Sequence, residues 1–370
     1  MARRHRSSRD TDLLDIDGRK AATALGIATL LGIVAIGVIG IVTDYGKMLD
    51  AVRKAEPAWF AVAALGQVCA YVGYIVAYRS VSRARGGPCL DYWAAGRAVA
   101  VGFGAFVLGS SAGGLAVDFW VLHRAGESVH QATRRVLALN TLQWLVLGTL
   151  ATAAAALVLA GLGPATPLGV SIAWLVVVPA ATIAGAWFSR DEQVERFGKL
   201  DVDEPPRRAK GGKAWGARLW AKAVGLFGDA IGGVGLVRFM VLRPLRHPGA
   251  IAGFALYWLG DMFTLYAALR AFGVELDPAA LVLAYATGYV IVVLPLPAGA
   301  GGAAELAMAF ALHLVGVPLG TAILASFAYR FYTVWLPIVP ALLFLPAVRG
   351  LAEDLPNTPR PAHAGGGGGA

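Results

Sequence analysis

Four charged residues lie inside long apolar stretches of the sequence: Asp118, Asp261, Glu305 and Arg330. A charge at the centre of a bilayer costs about 2.5–3.5 kcal/mol or more unless it is paired or hydrated. Three acids and one base in a single bundle of helices therefore predict a polar interior, in which Arg330 binds at least one acid. The alternative is a buried ion pair that only fixes helix packing.

The types of these residues indicate what such an interior could bind. Arg330 lies in the aromatic segment 329–335, and its planar guanidinium offers a fork of donors that suits the phosphate of a lipid head group. The three acids could balance that charge, accept a cationic head group or carry a coupling proton. His313 could relay protons, although an isolated histidine inside a membrane is more often packed or hydrogen-bonded.

Two Gly-rich stretches interrupt the apolar segments near these charges. Residues 109–114 contain Gly113 and Gly114, and residues 295–302 contain Pro297, Gly299, Gly301 and Gly302. Backbone groups freed at membrane depth must face protein or a water-filled cavity, so we expect these six residues to line one. Opposed broken segments of this kind are typical of inverted-repeat transporters. The alternative is that the glycines only permit close helix packing.

The elements that must position these residues are membrane helices. The chain is 57% hydrophobic and only 15% charged, which excludes an ordinary soluble domain. Apolar runs near the ~20 residues needed for a crossing cover 21–42, 58–78, 136–161, 168–188, 249–269, 279–296 and 320–348. Shorter helices are expected at 95–110, 113–122 and 302–316. The sequence thus predicts an all-α polytopic membrane protein of about eight full transmembrane helices plus broken or re-entrant ones, with a possible inverted repeat.

Basic residues predict the orientation. With the amino terminus inside, the predicted inner segments hold 27 of the 32 Lys and Arg residues, as the positive-inside rule requires. We expect a cytoplasmic basic tail at 1–20, a membrane domain at 21–348 with a cytoplasmic loop at 189–248, and a disordered cytoplasmic tail at 349–370. The loop holds either a helix lying on the inner leaflet or a plain connector. The expected location is a bacterial inner membrane, with both termini cytoplasmic.

Several other functions find little support in the sequence. The net charge of +9 is explained by positive cytoplasmic loops, so nucleic acid is not an expected partner. Two cysteines cannot build a disulfide framework or a four-thiolate metal site, and we expect no metal and no cofactor. No nucleotide-binding glycine loop of the ATPase type occurs. No catalytic motif is recognisable, and an enzyme is not expected.

The chain resembles the lysylphosphatidylglycerol synthase transmembrane-region family, the flippase-like domain of the multiple peptide resistance factor. The matching elements are Ser111 to Gly114 with Asp118, the loop Leu122 to Ser128, Pro297 to Glu305, and Arg330 to Pro337. The family's proline, Gly-rich turn and glutamate map onto Pro297, Gly299, Gly301, Gly302 and Glu305. Here Ala298 stands where glycine is usual in the family, and the spacing to Glu305 is one residue longer than usual.

The resemblance implies that a phospholipid, anionic or aminoacylated, or a lipid-linked precursor moves between leaflets through a hydrophilic cavity. It does not imply lipid synthesis, because the transferase of relatives is a separate soluble domain. Three alternatives stay open: a membrane-embedded enzyme acting on lipid-linked phosphate or sugar, a small-solute transporter, and a non-transporting partner of envelope-lipid synthesis. The expected partners are membrane phospholipid and either a second copy of the chain or an envelope-lipid biosynthetic enzyme.

Overall fold

A computed structural model describes residues 45–164, 166–190, 212–293 and 302–344. Within these ranges the structure is helical and contains no strand, so the predicted all-α membrane fold is confirmed. Its α-helices are α1 (Tyr45–Arg53), α2 (Pro57–Arg83), α3 (Tyr92–Arg124), α4 (Val129–Leu159), α5 (Leu168–Phe188), α6 (Gly212–Val241), α7 (Pro248–Ala271), α8 (Pro278–Tyr289), α9 (Ala303–Leu314) and α10 (Leu319–Arg330). The predictions for 1–20, 21–42, 349–370, Pro297, Gly299 and Gly301 lie outside the described residues.

Local sequence signals explain where several helices begin and end. Ser128 and Gln131 form a capping box that opens α4. Pro278 begins α8 directly after Asp277, whose carboxylate accepts the backbone N–H of Ala279 at 2.8 Å. A 3-10 turn, Val290–Val293, follows α8. A π-helical turn, Phe331–Trp335, continues α10 into a helix that reaches Phe344.

Six helical segments in the described part of the chain are long and apolar enough to cross a membrane. They are Pro57–Gly86, Val129–Leu159, Leu168–Phe188, Ala223–Val241, Pro248–Ala271 and Leu319–Phe344. Five of them coincide with apolar runs of the sequence. These helices also present large apolar side chains outward, among them Val177, Ile183 and Leu343. Such a surface is suited to lipid and not to water.

The tightest helix pair is α2 with α7, which run antiparallel. Glycines on both helices allow their backbones to approach: a Cβ atom added at Gly73 would lie 2.6 Å from the carbonyl oxygen of Gly253, and one at Gly66 would lie 2.9 Å from that of Gly260. Small residues make such contacts possible between membrane helices. This pair forms the rigid centre against which the other elements pack.

The bundle has two ends, which we name after the first and last residues of α2. At the Pro57 end, the N–H of Glu56 donates to the carbonyl oxygen of Ala271, so α2 begins where α7 ends. At the Arg83 end, Arg79 Nε donates to Leu90 O at 3.0 Å, just before α3. Arg135 Nη1, near the start of α4, donates to Ala84 O at 2.7 Å. Helices α3 and α4 therefore both begin at the Arg83 end.

Helix α3 doubles back on itself. A Cβ added at Gly114 would lie 3.4 Å from the carbonyl oxygen of Gly102, and one added at Gly113 would collide with that of Ala105. In a straight helix, residues 12 apart are separated by about 18 Å. The helical segment Tyr92–Arg124 is therefore a hairpin that enters from the Arg83 end and turns in the region of the Gly-rich stretch 109–114. This arrangement agrees with the predicted pair of short helices.

Helices α8 and α9 form a second hairpin from the opposite end. The apolar run 279–296 was expected to cross the membrane, but α8 has 12 residues, fewer than the ~20 that a crossing needs. A Cβ at Gly288 would lie 2.7 Å from Met308 Cα, so α8 and α9 are in close contact. Helix α8 starts at the Pro57 end, because Ala279 lies beside Gly163, just past the end of α4. The two hairpins thus enter the bundle from opposite ends.

Helix α6 lies within the segment 189–248, for which the sequence left open a helix on the inner leaflet or a plain connector. Residues Gly212–Val241 form one helix, and Asp229 in it binds Arg134 Nε and His130 Nδ1 at 2.9 Å each, near the start of α4. Ten residues later, the guanidinium of Arg85 lies over the Phe239 ring, again at the Arg83 end. A helix that crossed the bundle could not keep both contacts at one end. Helix α6 therefore lies across that end, although Ala223–Val241 is apolar enough to cross.

Candidate functional site

The structure brings the four predicted intramembrane charges together. Asp118 on α3, Asp261 on α7, Glu305 on α9 and Arg330 on α10 are 6%, 2%, 8% and 7% exposed. Asp118, Asp261 and Arg330 line one cavity. Glu305 is absent from its described lining and forms an ion pair with Arg330. Residues separated by more than 200 positions in the chain thus form one polar interior.

Glu305 joins the second hairpin to α10. Its Oε1 accepts Arg330 Nε at 3.0 Å, and its Oε2 accepts the backbone N–H of Gly302 at 2.7 Å. Gly302 has a φ of +83°, a conformation that glycine adopts without strain. Glu305 is the third residue of α9, so its carboxylate also caps the helix N-terminus. Gly302 is therefore a capping residue and is absent from the described lining of the cavity.

Asp261 joins the same hairpin to α7. One of its oxygens, Oδ2, accepts the hydroxyl of Tyr285 on α8 and the hydroxyl of Tyr329 on α10, the latter at 2.6 Å. The two hydroxyls lie 3.3 Å apart. Hydrogen bonds of this kind, made to a charged acceptor, are the strong ones in proteins. Asp261 thus satisfies much of its hydrogen-bonding need inside the protein.

Asp118 is different, because it makes no hydrogen bond or ion pair with any other described residue. It lies on the returning arm of the α3 hairpin, where its Oδ1 would be 3.7 Å from a Cβ added at Gly102. A buried carboxylate that lacks a protein partner needs water or a ligand beside it. The cavity gives it access to either one.

The cavity has a volume of about 280 Å³, counted as the space that the centre of a water molecule can occupy. Of the two glycines at 113 and 114, Gly114 lies in its wall, whereas Gly113 packs against the backbone of Ala105 and is absent from the described lining. His313 lies away from the cavity, and its ring nitrogen Nδ1 contacts Val317 O at 3.0 Å. The break residues therefore divide into one that lines the cavity and two, Gly113 and Gly302, that shape the hairpins.

Sequence reasoning missed the neutral half of the cavity wall. Three amide side chains line it, Gln67 on α2 and Asn140 and Gln143 on α4, and none of them makes a side-chain hydrogen bond to another described residue. Aromatic residues complete the wall: Tyr74, Phe103, Phe106, Trp144, Tyr257, Tyr289 and Tyr329. Asn140 and Gln143 could have been noticed as polar residues inside the apolar run 136–161. Gln67 stands in the apolar run 58–78 in the same way, whereas no comparable signal marks the aromatic residues.

Helices that can cross a membrane, apolar outer surfaces and a polar cavity between opposed hairpins define a multi-pass helical membrane protein with an internal polar site. The sequence matches the model of the lysylphosphatidylglycerol synthase TM region over residues 24–341. The chain therefore belongs to this family, which ties it to the handling of lipids. No curated protein matches the chain.

Proposed function

We propose that this protein moves a phospholipid or a lipid-linked precursor between the leaflets of a bacterial inner membrane. The supporting observation is the cavity, in which Asp118 and three amide side chains lack partners among the described residues. Unsatisfied polar groups are expensive inside a membrane, so a structure keeps them only where they meet water or a ligand. A lipid head group is the ligand that a cavity at this depth can take while the acyl chains stay in the bilayer.

Charge supports an orientation with the Arg83 end in the cytoplasm. Arg79, Arg83, Arg85, Arg124 and Arg243 lie in or beside the elements that meet at this end. At the Pro57 end, Arg270 is paired with Glu275 at 2.9 Å. The positive-inside rule then places the α3 hairpin on the cytoplasmic side and the α8 and α9 hairpin on the outer side. Lipid would enter the cavity from one leaflet beside one hairpin and leave past the other.

In this proposal Arg330 and Glu305 act together. Their ion pair holds α9 against α10 and presents the guanidinium to the cavity, where it contacts the phosphate of a passing lipid. Asp118 faces the polar part of the head group. We propose transport rather than catalysis for this cavity, and phospholipid is the proposed partner.

The test is transbilayer movement of fluorescent phosphatidylglycerol and its lysyl ester in proteoliposomes. Asp118→Asn is the sharpest variant, because it keeps the shape of a side chain that makes no bond to another described residue. We expect the wild-type protein to move lipid and Asp118→Asn, Glu305→Gln and Arg330→Ala to move it at least about tenfold more slowly. Glu275→Ala is the matched control, because it breaks an ion pair outside the described lining of the cavity at a side chain that is 79% exposed.

Loss of movement in the three cavity variants but not in the control would support a lipid transporter with its site at the cavity. No movement of either lipid by the wild-type protein, after reconstitution is verified, would instead favour an enzyme or a non-transporting partner of envelope-lipid synthesis. Full activity of Asp118→Asn would remove that residue from the path.

A further inference from the structure

We infer that the head group accepted by this cavity is polyhydroxylated, as in a lipid that carries a sugar. This inference rests on the proposed function and narrows its substrate class. It follows from the neutral side chains of the cavity wall and not from its charges. Gln67, Asn140, Gln143 and Thr333 are the uncharged, non-aromatic polar residues among those that line it.

The amides call for a ligand that both donates and accepts hydrogen bonds. Each carboxamide carries two N–H donors and one carbonyl acceptor, and none of the three has a side-chain partner among the described residues. The Oε1 atom of Gln67 and the Oγ1 atom of Thr333 are buried and make no hydrogen bond within the described ranges. Hydroxyl groups meet this need, because each is a donor and an acceptor. An ammonium group only donates and would leave the amide N–H groups unmatched.

The charges of the wall do not favour a bare phosphate as the deepest group. Arg330 is the only cationic residue in the described lining, and Glu305 neutralises it at 3.0 Å. Asp118 and Asp261 bring further carboxyl oxygens, which are hydrogen-bond acceptors like those of a phosphate, to the same space. The carboxyl group of Asp118, which has no partner in the part of the chain that the structure describes, can instead hydrogen-bond sugar hydroxyls. The phosphate of such a lipid would stay near Arg330, and the hydroxylated part would lie deeper.

The aromatic residues supply the remaining surface. The Tyr74 ring packs edge-on against Phe103 and Tyr257, with centroids 5.1 and 5.3 Å apart, and Trp144 lies 5.8 Å from Tyr289. The C–H faces of a sugar ring are apolar and pack on such rings while its hydroxyls reach the amides. The open space of about 280 Å³ lies near the lower end of ligand-sized pockets, typically ~300–1,000 Å³. It suits a single ring and not a long oligosaccharide.

The experiment compares three lipids with identical acyl chains: glucosyl-diacylglycerol, phosphatidate and lysyl-phosphatidylglycerol. Each is added to the purified protein in phosphatidylcholine nanodiscs, and the lipid retained is measured by native mass spectrometry. We expect the glucosyl lipid to be retained best, and Asn140→Leu to weaken its retention by about tenfold or more, because the isosteric change removes every polar atom of the side chain. Thr149→Val, on the exposed face of the same helix, is the matched control.

Preferential retention of phosphatidate or of the lysyl ester would overturn the inference. Equal retention of the glucosyl lipid by wild type and Asn140→Leu would overturn it as well. The proposed function can be refuted independently of this inference. If the glucosyl lipid is retained through Asn140 but no lipid crosses the bilayer of proteoliposomes, the sugar site is supported and lipid transport is refuted. If phosphatidylglycerol crosses but the glucosyl lipid is neither retained nor moved, transport stands and the sugar site does not.

Discussion

The ion pair between Glu305 and Arg330 allows a quantitative test of the buried site. Both side chains are at most about one-tenth exposed, and Arg330 Nε lies 3.0 Å from Glu305 Oε1. Removing one partner of a buried pair leaves an uncompensated charge and typically costs about 3–5 kcal/mol. We therefore expect Arg330→Met to lower the free energy of unfolding by that amount. Glu305→Gln should cost less, since the amide oxygen can still accept the N–H of Gly302.

The double variant isolates the interaction energy between Glu305 and Arg330 from the interactions that each residue makes with other groups. Arg330→Met with Glu305→Gln removes both charges and keeps the cap of α9, so its loss of stability should be smaller than that of Arg330→Met alone. The resulting coupling energy of the double-mutant cycle should reach about 2 kcal/mol or more. The assay is reversible unfolding in bicelles by steric trapping, which reports a free energy instead of a melting temperature.

The chain contains its own control for this cycle. Arg270 Nη1 and Glu275 Oε2 lie 2.9 Å apart, but the side chains are 29% and 79% exposed. An exposed pair of this kind contributes only about 0.2–1 kcal/mol. If the cycle at Glu305 and Arg330 gave a coupling energy no larger than the cycle at Arg270 and Glu275, the argument that the pair is buried and structurally essential would be refuted.

Three further outcomes are expected. Gly73→Ala should cost about 1–3 kcal/mol of unfolding free energy by separating α2 from α7, whereas Gly96→Ala, which meets no atom closer than 3.7 Å, should be near neutral. Tyr329→Phe removes one of the two hydroxyl donors to Asp261 and should lower the free energy of unfolding by about 1.5–3 kcal/mol in the same assay. Single cysteines at Trp220 and Leu245, placed in a variant without native cysteines, should be labelled from the same side of the membrane; labelling from opposite sides would show that α6 crosses.

Much of the fold could be predicted from the sequence because the bilayer imposes lengths on apolar helices. The hairpin at 109–114 could also be predicted, since its glycines weaken the helix where the chain turns. The position of α6 was harder to predict. The sequence left this segment open between a helix on the inner leaflet and a plain connector. In the structure the Asp229 carboxylate of α6 is paired with Arg134 and His130, and the pairing allows the helix to pack on the bundle. Only the tertiary structure shows these two partners of Asp229.

The residues of the site also differ in how readily the sequence predicts them. An ionisable residue in an apolar run is conspicuous, and Asp118, Asp261 and Arg330 all line the cavity. Neutral amides and tyrosines cost less in a membrane helix than charges do, so the polar residues Gln67 and Asn140 within apolar runs are a weaker signal than the charges. The charges therefore indicated a polar interior from the sequence alone, while the full set of neutral residues in its wall became visible only in three dimensions.

The two hairpins contribute unequally to this cavity. The α8 and α9 hairpin is tied down by polar contacts, because Tyr285 binds Asp261 and Glu305 binds both Arg330 and its own helix start. The α3 hairpin brings Asp118, which has no such contact with the described residues. Substitutions on the α8 and α9 hairpin should therefore change stability and transport together. Asp118→Asn should change transport and head-group binding while the free energy of unfolding stays within about 1 kcal/mol of wild type. A larger loss of stability would mean that Asp118 holds the fold and does not serve the ligand.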